Sequence, residues 1–116
     1  MTYTASCHCG AISATVEGDI PSQGMSCNCS ICRRKGHILH FEPAGNTTLV
    51  APEGQVGSYT FNKGMIDHRF CQTCGCSPFA NGRMPDGSEM VAINLRCVPE
   101  CDLDALNIQK VDGASF

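Results

Sequence analysis

Two pairs of cysteines, each followed directly by a glycine, have the spacing of metal-binding knuckles: Cys7-His8-Cys9-Gly10 and Cys71-Gln72-Thr73-Cys74-Gly75. The glycine allows a tight backbone turn that brings both sulfurs of a pair onto one metal ion. Two such pairs supply the four thiolates of a closed tetrahedral zinc site, whose binding free energy becomes folding free energy. The alternative is four buried apolar thiols, a less common use of paired cysteines. We therefore predict a structural zinc site.

A further group, which we call the second cysteine group, supplies three sulfurs within six residues: Cys27, Cys29 and Cys32. A closed structural zinc needs four protein ligands, whereas a three-ligand site keeps a fourth position for water or substrate. A zinc rich in soft thiolates suits a substrate thiol better than it suits the activation of water. A fourth protein ligand could instead close the site, and the candidates are Cys76, Cys97, Cys101, His37 and His68. The sequence thus predicts a second zinc, either open and catalytic or closed and structural.

One basic run, Arg33-Arg34-Lys35, directly follows the second cysteine group. The two arginines could hold a carboxylate of a peptide-like thiol bidentately, or they could be a solvated surface pair. The whole chain has eight Lys and Arg against eleven Asp and Glu, which gives a formal charge of −3. It therefore lacks the extended basic face that nucleic-acid binding needs. We expect a small anionic ligand and no nucleic-acid partner.

The sequence has neither the pattern of a secretory signal nor an apolar run of about 18 residues that would cross a membrane. We therefore expect a cytoplasmic protein without a membrane partner. Cysteines remain thiols in that reducing compartment, so ten of them in 116 residues indicate metal binding. Disulfides are the alternative way to stabilise so small a fold.

Apolar and polar residues alternate in four segments, at residues 11–17, 37–41, 56–61 and 90–95. Alternation with a period of two predicts strands, and turn-forming Gly, Pro, Asn and Asp separate the segments at short intervals. Helix is predicted only as single turns, after Cys29 and at residues 102–106, where Asp102 could form the cap. The length of 116 residues predicts one domain over residues 1–116. Many short strands joined by tight turns predict an all-β fold of small packed sheets.

The order of the cysteine groups resembles the family of the glutathione-dependent formaldehyde-activating enzyme and the centromere protein V domain. The resemblance covers nearly the whole chain and rests on four segments, at residues 6–10, 27–34, 68–75 and 91–97. It implies an Mss4-like fold of small packed antiparallel sheets with two zinc ions per chain. It also implies which cysteines bind each ion. The structural ligands are Cys7, Cys9, Cys71 and Cys74, and the catalytic ligands are Cys27, Cys29 and Cys32.

The activity that this resemblance implies is that of a zinc-dependent carbon–sulfur lyase acting on a thiol–aldehyde adduct such as S-hydroxymethylglutathione. The substrate sulfur would take the open position of the second zinc, which lowers the pKa of the thiol. One alternative is a non-enzymatic zinc-binding interaction module in which both metals are structural. Another is a redox-sensing or zinc-buffering protein that uses Cys76, Cys97 and Cys101 as spare thiols. The fourth ligand of the second zinc separates the enzyme from the module.

Overall fold

A computed structural model describes residues 1–28, 30–60, 66–84 and 86–112. Within these ranges the backbone forms ten strands, one α-helix and three short 3-10 turns. The strands are β1 (Thr2–Ser6), β2 (Ser13–Glu17), β3 (Gln23–Cys27), β4 (Leu39–Pro43), β5 (Thr47–Val50), β6 (Val56–Tyr59), β7 (Ile66–Cys71), β8 (Phe79–Arg83), β9 (Glu89–Asn94) and β10 (Asn107–Val111). The helix α1 spans Ser30–Lys35, and the 3-10 turns span Ala44–Asn46, Leu95–Cys97 and Leu103–Ala105. The predicted all-β fold is confirmed.

The strands form two sheets. The smaller sheet has the order β1-β2-β5, and the larger sheet has the order β10-β3-β4-β9-β8-β7-β6. Every pair of neighbours is antiparallel except β10 and β3, which are parallel. Parallel neighbours need a long connection, and here residues 107–111 return to lie beside residues 23–27. This pairing brings the end of the described chain next to Cys27.

The strand β2 shows how the alternating pattern produces the core. Ala14 and Val16 are fully buried, whereas the intervening Ser13 and Thr15 are half-buried on the other face. The buried side chains of the smaller sheet pack in one cluster with apolar residues of the larger sheet, among them Phe79 and Ile93. The core therefore holds the two sheets together through side-chain packing.

Two of the predicted local features have clear physical causes. A short helix follows Cys29, as expected, and Gly36 ends it with a hydrogen bond from its N–H to the carbonyl of Cys32. Asp102 caps the turn at Leu103–Ala105, because its carboxylate accepts a hydrogen bond from the N–H of Asp104. Along the part of the chain that the structure describes, no helix has the length and apolar character needed to cross a membrane.

Candidate functional site

Four cysteine sulfurs meet where the two sheets approach each other. Cys7 and Cys9 follow β1 of the smaller sheet, Cys71 ends β7 of the larger sheet, and Cys74 lies in the turn beyond it. The four sulfurs all lie within 4.8 Å of one another. We call this group the four-cysteine cluster. Its two halves are 62 positions apart in the chain, as measured between Cys9 and Cys71.

The spacing of these sulfurs fits a tetrahedral metal ion. The Sγ atoms of Cys9 and Cys71 are 3.5 Å apart, and those of Cys7 and Cys9 are 3.7 Å apart. Sulfurs at about 2.3 Å from a tetrahedral zinc are about 3.8 Å from each other, whereas a disulfide joins sulfurs at about 2.05 Å. The four cysteines are therefore thiols in a geometry that could hold a metal ion and is compatible with zinc.

Glycine makes both knuckle turns possible. Gly10 and Gly75 have φ angles of 83° and 80°, in the left-handed region that other residues rarely adopt. The N–H of Gly10 donates to the carbonyl of Cys7, and the N–H of Gly75 donates to the carbonyl of Cys71. These turns aim the two sulfurs of each pair at the same point.

Backbone N–H groups favour the thiolate form in this cluster. N–H groups of Cys76 and Cys9 donate to the sulfur of Cys74 and lower its pKa to about 5. N–H groups of Cys74 and Thr73 likewise lower the pKa of Cys71. The sulfur of Cys7 accepts from the N–H of Ile12 at 3.4 Å. Such an arrangement stabilises negative charge and matches the deprotonated ligands that a divalent cation needs.

Cys9 is the member of the cluster that keeps its proton most strongly. An N–H hydrogen bond from Ala11 favours its thiolate, but the hydrogen bond with Cys71 and burial outweigh that bond and raise the pKa of Cys9 to about 12. A cation in the centre of the cluster would lower the pKa of Cys9, because it would compensate the negative charge of the fourth thiolate.

The second cysteine group lies on a different part of the surface. Cys27 ends β3 and Cys32 lies in α1, and both line a cavity of about 590 Å³ that we call the Cys32 cavity. Cys29 lies outside the described residues. Among the described residues, the four-cysteine cluster alone gathers three or more potential ligands within 4.8 Å. The three-sulfur site therefore stays a prediction, and so does the second zinc.

His37 lines the same cavity, in the segment between α1 and β4. It is 9% exposed, and burial, helped by the charge of Lys35 and by His68, lowers its pKa to about 4. Its imidazole is therefore neutral near pH 7 and could bind a metal or accept a proton. His40 takes a different partner, since its Nε2 lies 2.8 Å from a carboxylate oxygen of Glu42.

The other residues considered as fourth ligands do not line this cavity. His68 is nevertheless close enough to His37 to influence its pKa. Burial, together with the electrostatic influence of the nearby Cys76, Cys7 and Cys74, raises the pKa of Cys97 to about 11. Cys76 and Cys97 therefore belong to the surroundings of the four-cysteine cluster. Of the described candidates, His37 alone shares the Cys32 cavity with Cys27 and Cys32.

The three side chains of the basic run, residues 33–35, have different surroundings. Arg33 lines the Cys32 cavity, whereas Arg34 donates to the carbonyl of Ser30 in its own helix at 2.7 Å and lines another cavity. Lys35 donates to the hydroxyl of Ser77 at 2.9 Å, and its ammonium lies 5.7 Å from the centre of the Phe70 ring. The structure therefore does not place Arg33 and Arg34 as a pair at one site.

Asn94 connects the segments around the cavity. Its Oδ1 accepts hydrogen bonds from the N–H groups of Ile38 and Arg96, and its Nδ2 donates to the carbonyl of Ser77 and to the sulfur of Cys97. Both polar ends of this buried side chain are therefore occupied by the protein. Its role is to fix the segment of His37 against the end of β9.

A comparison with known protein families shows which family the chain belongs to. The chain matches the family described as glutathione-dependent formaldehyde-activating enzyme over residues 2–108. The chain belongs to this family. A crystal structure of a Rhodobacter sphaeroides protein is similar in fold, with a TM-score of 0.77 and 24% sequence identity, over 93% of this chain and 99% of that chain. The family resemblance predicted from the order of the cysteine groups is confirmed.

Two cavity residues of this member of the formaldehyde-activating family were not found by sequence reasoning. Arg96 lies in the turn after β9, and Lys110 lies in β10. Both line the Cys32 cavity, although neither is near the second cysteine group in the sequence. Lys110 arrives there because β10 pairs in parallel with β3, opposite Ser26. No local pattern indicates such a long-range pairing.

Proposed function

We propose that this protein is a zinc-dependent carbon–sulfur lyase that acts on the adduct of glutathione with formaldehyde, S-hydroxymethylglutathione. Family membership supports glutathione and formaldehyde as the substrate class. The observation that carries the proposal is that Cys27 and Cys32 line a cavity of about 590 Å³ that is separate from the four-cysteine cluster. A cavity of this size suits a small-molecule ligand.

In the proposed site, Cys27, Cys29 and Cys32 would hold a zinc ion by their thiolates. Such an ion, when bound, supplies a Lewis acid that stabilises the thiolate of glutathione near neutral pH. In the cleavage direction the carbon–sulfur bond breaks, its electron pair stays on sulfur, and the hydroxyl group loses a proton as the carbonyl forms. The neutral imidazole of His37 lines the cavity and can accept that proton.

The four-cysteine cluster has a structural role in this proposal. It joins the two sheets, and its thiolates are supported by backbone N–H groups. We propose that it holds the structural one of the two zinc ions per chain, with all four protein ligands in place. The nine cysteines in the described ranges are free thiols, a state best maintained in the cytoplasm, which is where we propose to place the protein.

One observation favours an alternative function. His37 is buried and neutral and lines the same cavity as Cys27 and Cys32, so it could supply the fourth ligand of a closed site, although the ligand atoms of these three residues do not all lie within 4.8 Å of one another. Both metals would then be structural, and the protein would be a non-enzymatic zinc-binding interaction module. Such a site would leave no position for a substrate sulfur.

Exchange of formaldehyde between glutathione and its adduct, followed by NMR, tests the lyase proposal. We expect the wild-type protein to accelerate the exchange and Cys32→Ser to abolish the acceleration. Cys101→Ser is the matched control, because Cys101 packs against the core outside both cysteine groups. Thermal melts verify that both variants are folded. No acceleration by zinc-loaded wild-type protein would reject the lyase and leave the interaction module.

A further inference from the structure

The charge of the Cys32 cavity is opposite to that of the whole protein. The chain has eight basic and eleven acidic residues. Three of the basic residues line this cavity, Arg33, Arg96 and Lys110, against one acidic residue, Asp112. Asp112 already accepts a hydrogen bond at 3.0 Å from the side-chain amide of Asn28. The cavity therefore has an excess of positive charge next to the thiols of Cys27 and Cys32.

Arg96 is held in a defined position within this lining. Its Nε donates to the carbonyl of Gly36 at 2.8 Å, at the end of α1. Its backbone N–H donates to Asn94, which is buried. The guanidinium is therefore fixed through its Nε, and its two Nη nitrogens donate to no residue in the described ranges. Planar, preorganised donors of this kind match a carboxylate.

The other two cations reach the cavity from separate parts of the fold. Arg33 directly follows Cys32 in α1, and Lys110 comes from β10 through its parallel pairing with β3. Three segments that are distant in the sequence thus place positive charge around one opening.

We propose that Arg96, assisted by Arg33 and Lys110, forms a carboxylate-binding subsite that selects thiols bearing a carboxylate. The identity of this thiol as the substrate rests on the proposed lyase function, since the subsite lies beside the cysteines that would meet the substrate sulfur. Arg34 has no part in the subsite, because its guanidinium is bonded to Ser30 and faces another cavity. The subsite binds the carboxylate, and the second cysteine group binds the sulfur.

A ligand without sulfur separates this proposal from the lyase function. The probe is γ-glutamyl-2-aminobutyryl-glycine, which has the shape and carboxylates of glutathione but no thiol, together with its analogue amidated at both carboxyl groups. NMR titration of the protein measures the affinity for each. We expect Arg96→Ala to weaken binding of the free acid by about tenfold or more and to leave binding of the amidated analogue unchanged. Arg34→Ala is the matched control, because it removes an arginine of the same helix that does not line the Cys32 cavity. This variant should bind the free acid with the affinity of the wild type.

The outcomes of this titration are distinct from those of the exchange assay. Equal binding of the acid and the amidated analogue, equal effects of Arg96→Ala and Arg34→Ala, or no saturable binding of the acid would each overturn the subsite. Arg96→Lys verifies that the effect is not a loss of fold, since it keeps the charge and should retain part of the affinity. Tripeptide binding that depends on Arg96 in a protein without exchange activity would support the subsite and reject the lyase.

Discussion

Hydrogen bonds from the backbone set the charge of the four-cysteine cluster. The sulfurs of Cys71 and Cys74 accept N–H groups from their own turn, and Cys74 also accepts the N–H of Cys9. The segment of Cys9 thus supports the sulfur of Cys74 through an amide, in addition to the metal ion that we propose the four sulfurs share. Losing one sulfur would disturb the metal and both turns together.

Replacing Cys71 is therefore expected to destabilise the fold severely. Structural zinc contributes on the order of 10 kcal/mol to folding in small zinc domains, so loss of one ligand should cost at least about 3 kcal/mol. Cys71→Ser should show this loss in urea denaturation, with less than one equivalent of zinc retained at the cluster. Cys76→Ser is the control, because Cys76 supports the cluster through its backbone N–H and carbonyl groups, which this substitution keeps. Equal stability of the two variants would contradict the structural role.

The buried, neutral state of His37 predicts a pH dependence of stability. The pKa of His37 is about 4 in the folded protein and near 6.5 in an unfolded chain, so the unfolded chain binds the proton more readily. The stability that neutral His37 provides is complete above about pH 6.5 and is lost as the pH falls towards 4. Denaturation of the wild type and of His37→Gln between pH 7 and about pH 4 tests this. We expect a flatter profile for the variant, and parallel profiles would contradict a buried neutral imidazole.

At the scale of elements, the cavity is formed where α1, the end of β9 and β10 meet. Asn94 bonds to Ile38 and Arg96, which line the cavity, and to Ser77, while Arg96 bonds the turn after β9 to the end of α1. The bonds from Asn94 to Ile38 and from Arg96 to Gly36 span 56 and 60 positions of the sequence. Asn94 accepts a hydrogen bond from the N–H of Ile38, the residue next to His37. The position of His37 in the cavity therefore depends on a side chain that is distant in the sequence.

Asn94→Ala should accordingly destabilise the protein by about 2 kcal/mol, because buried N–H and carbonyl groups lose their partners. The melting temperature measures this effect, and Asn46→Ala, at an exposed turn residue, is the control. The same variant should also reduce exchange activity by loosening the His37 segment. A melting temperature equal to that of the control would show that water replaces the amide without cost.

The sequence predicted the elements whose signals are local. Alternation located β2, β4, β6 and β9, although β4 begins at Leu39, two residues after the predicted start. The strands β1, β3, β5, β7, β8 and β10 were not predicted, because their patterns are short, broken by glycine or adjacent to cysteines whose burial follows from packing. Asp102 was predicted correctly as a cap because capping needs only the next two residues.

At the scale of the whole molecule, two sheets are joined at one end by the four-cysteine cluster and carry the Cys32 cavity elsewhere. The cluster could be predicted from spacing, since each knuckle is a local motif with one chemical use. The cavity could not, because its charges depend on the parallel pairing of β10 with β3. None of the four clustered cysteines lines this cavity, so the open site that we propose is separate from the cluster.

Cobalt substitution tests this distinction between the two sites most directly. Cobalt(II) in place of zinc gives thiolate charge-transfer absorption that grows with each sulfur ligand, and a closed four-sulfur site has no position for another. We predict that glutathione increases this absorption in the wild-type protein and leaves it unchanged in Cys32→Ser. An absorption spectrum of the wild type that does not change at saturating glutathione would contradict an open second site.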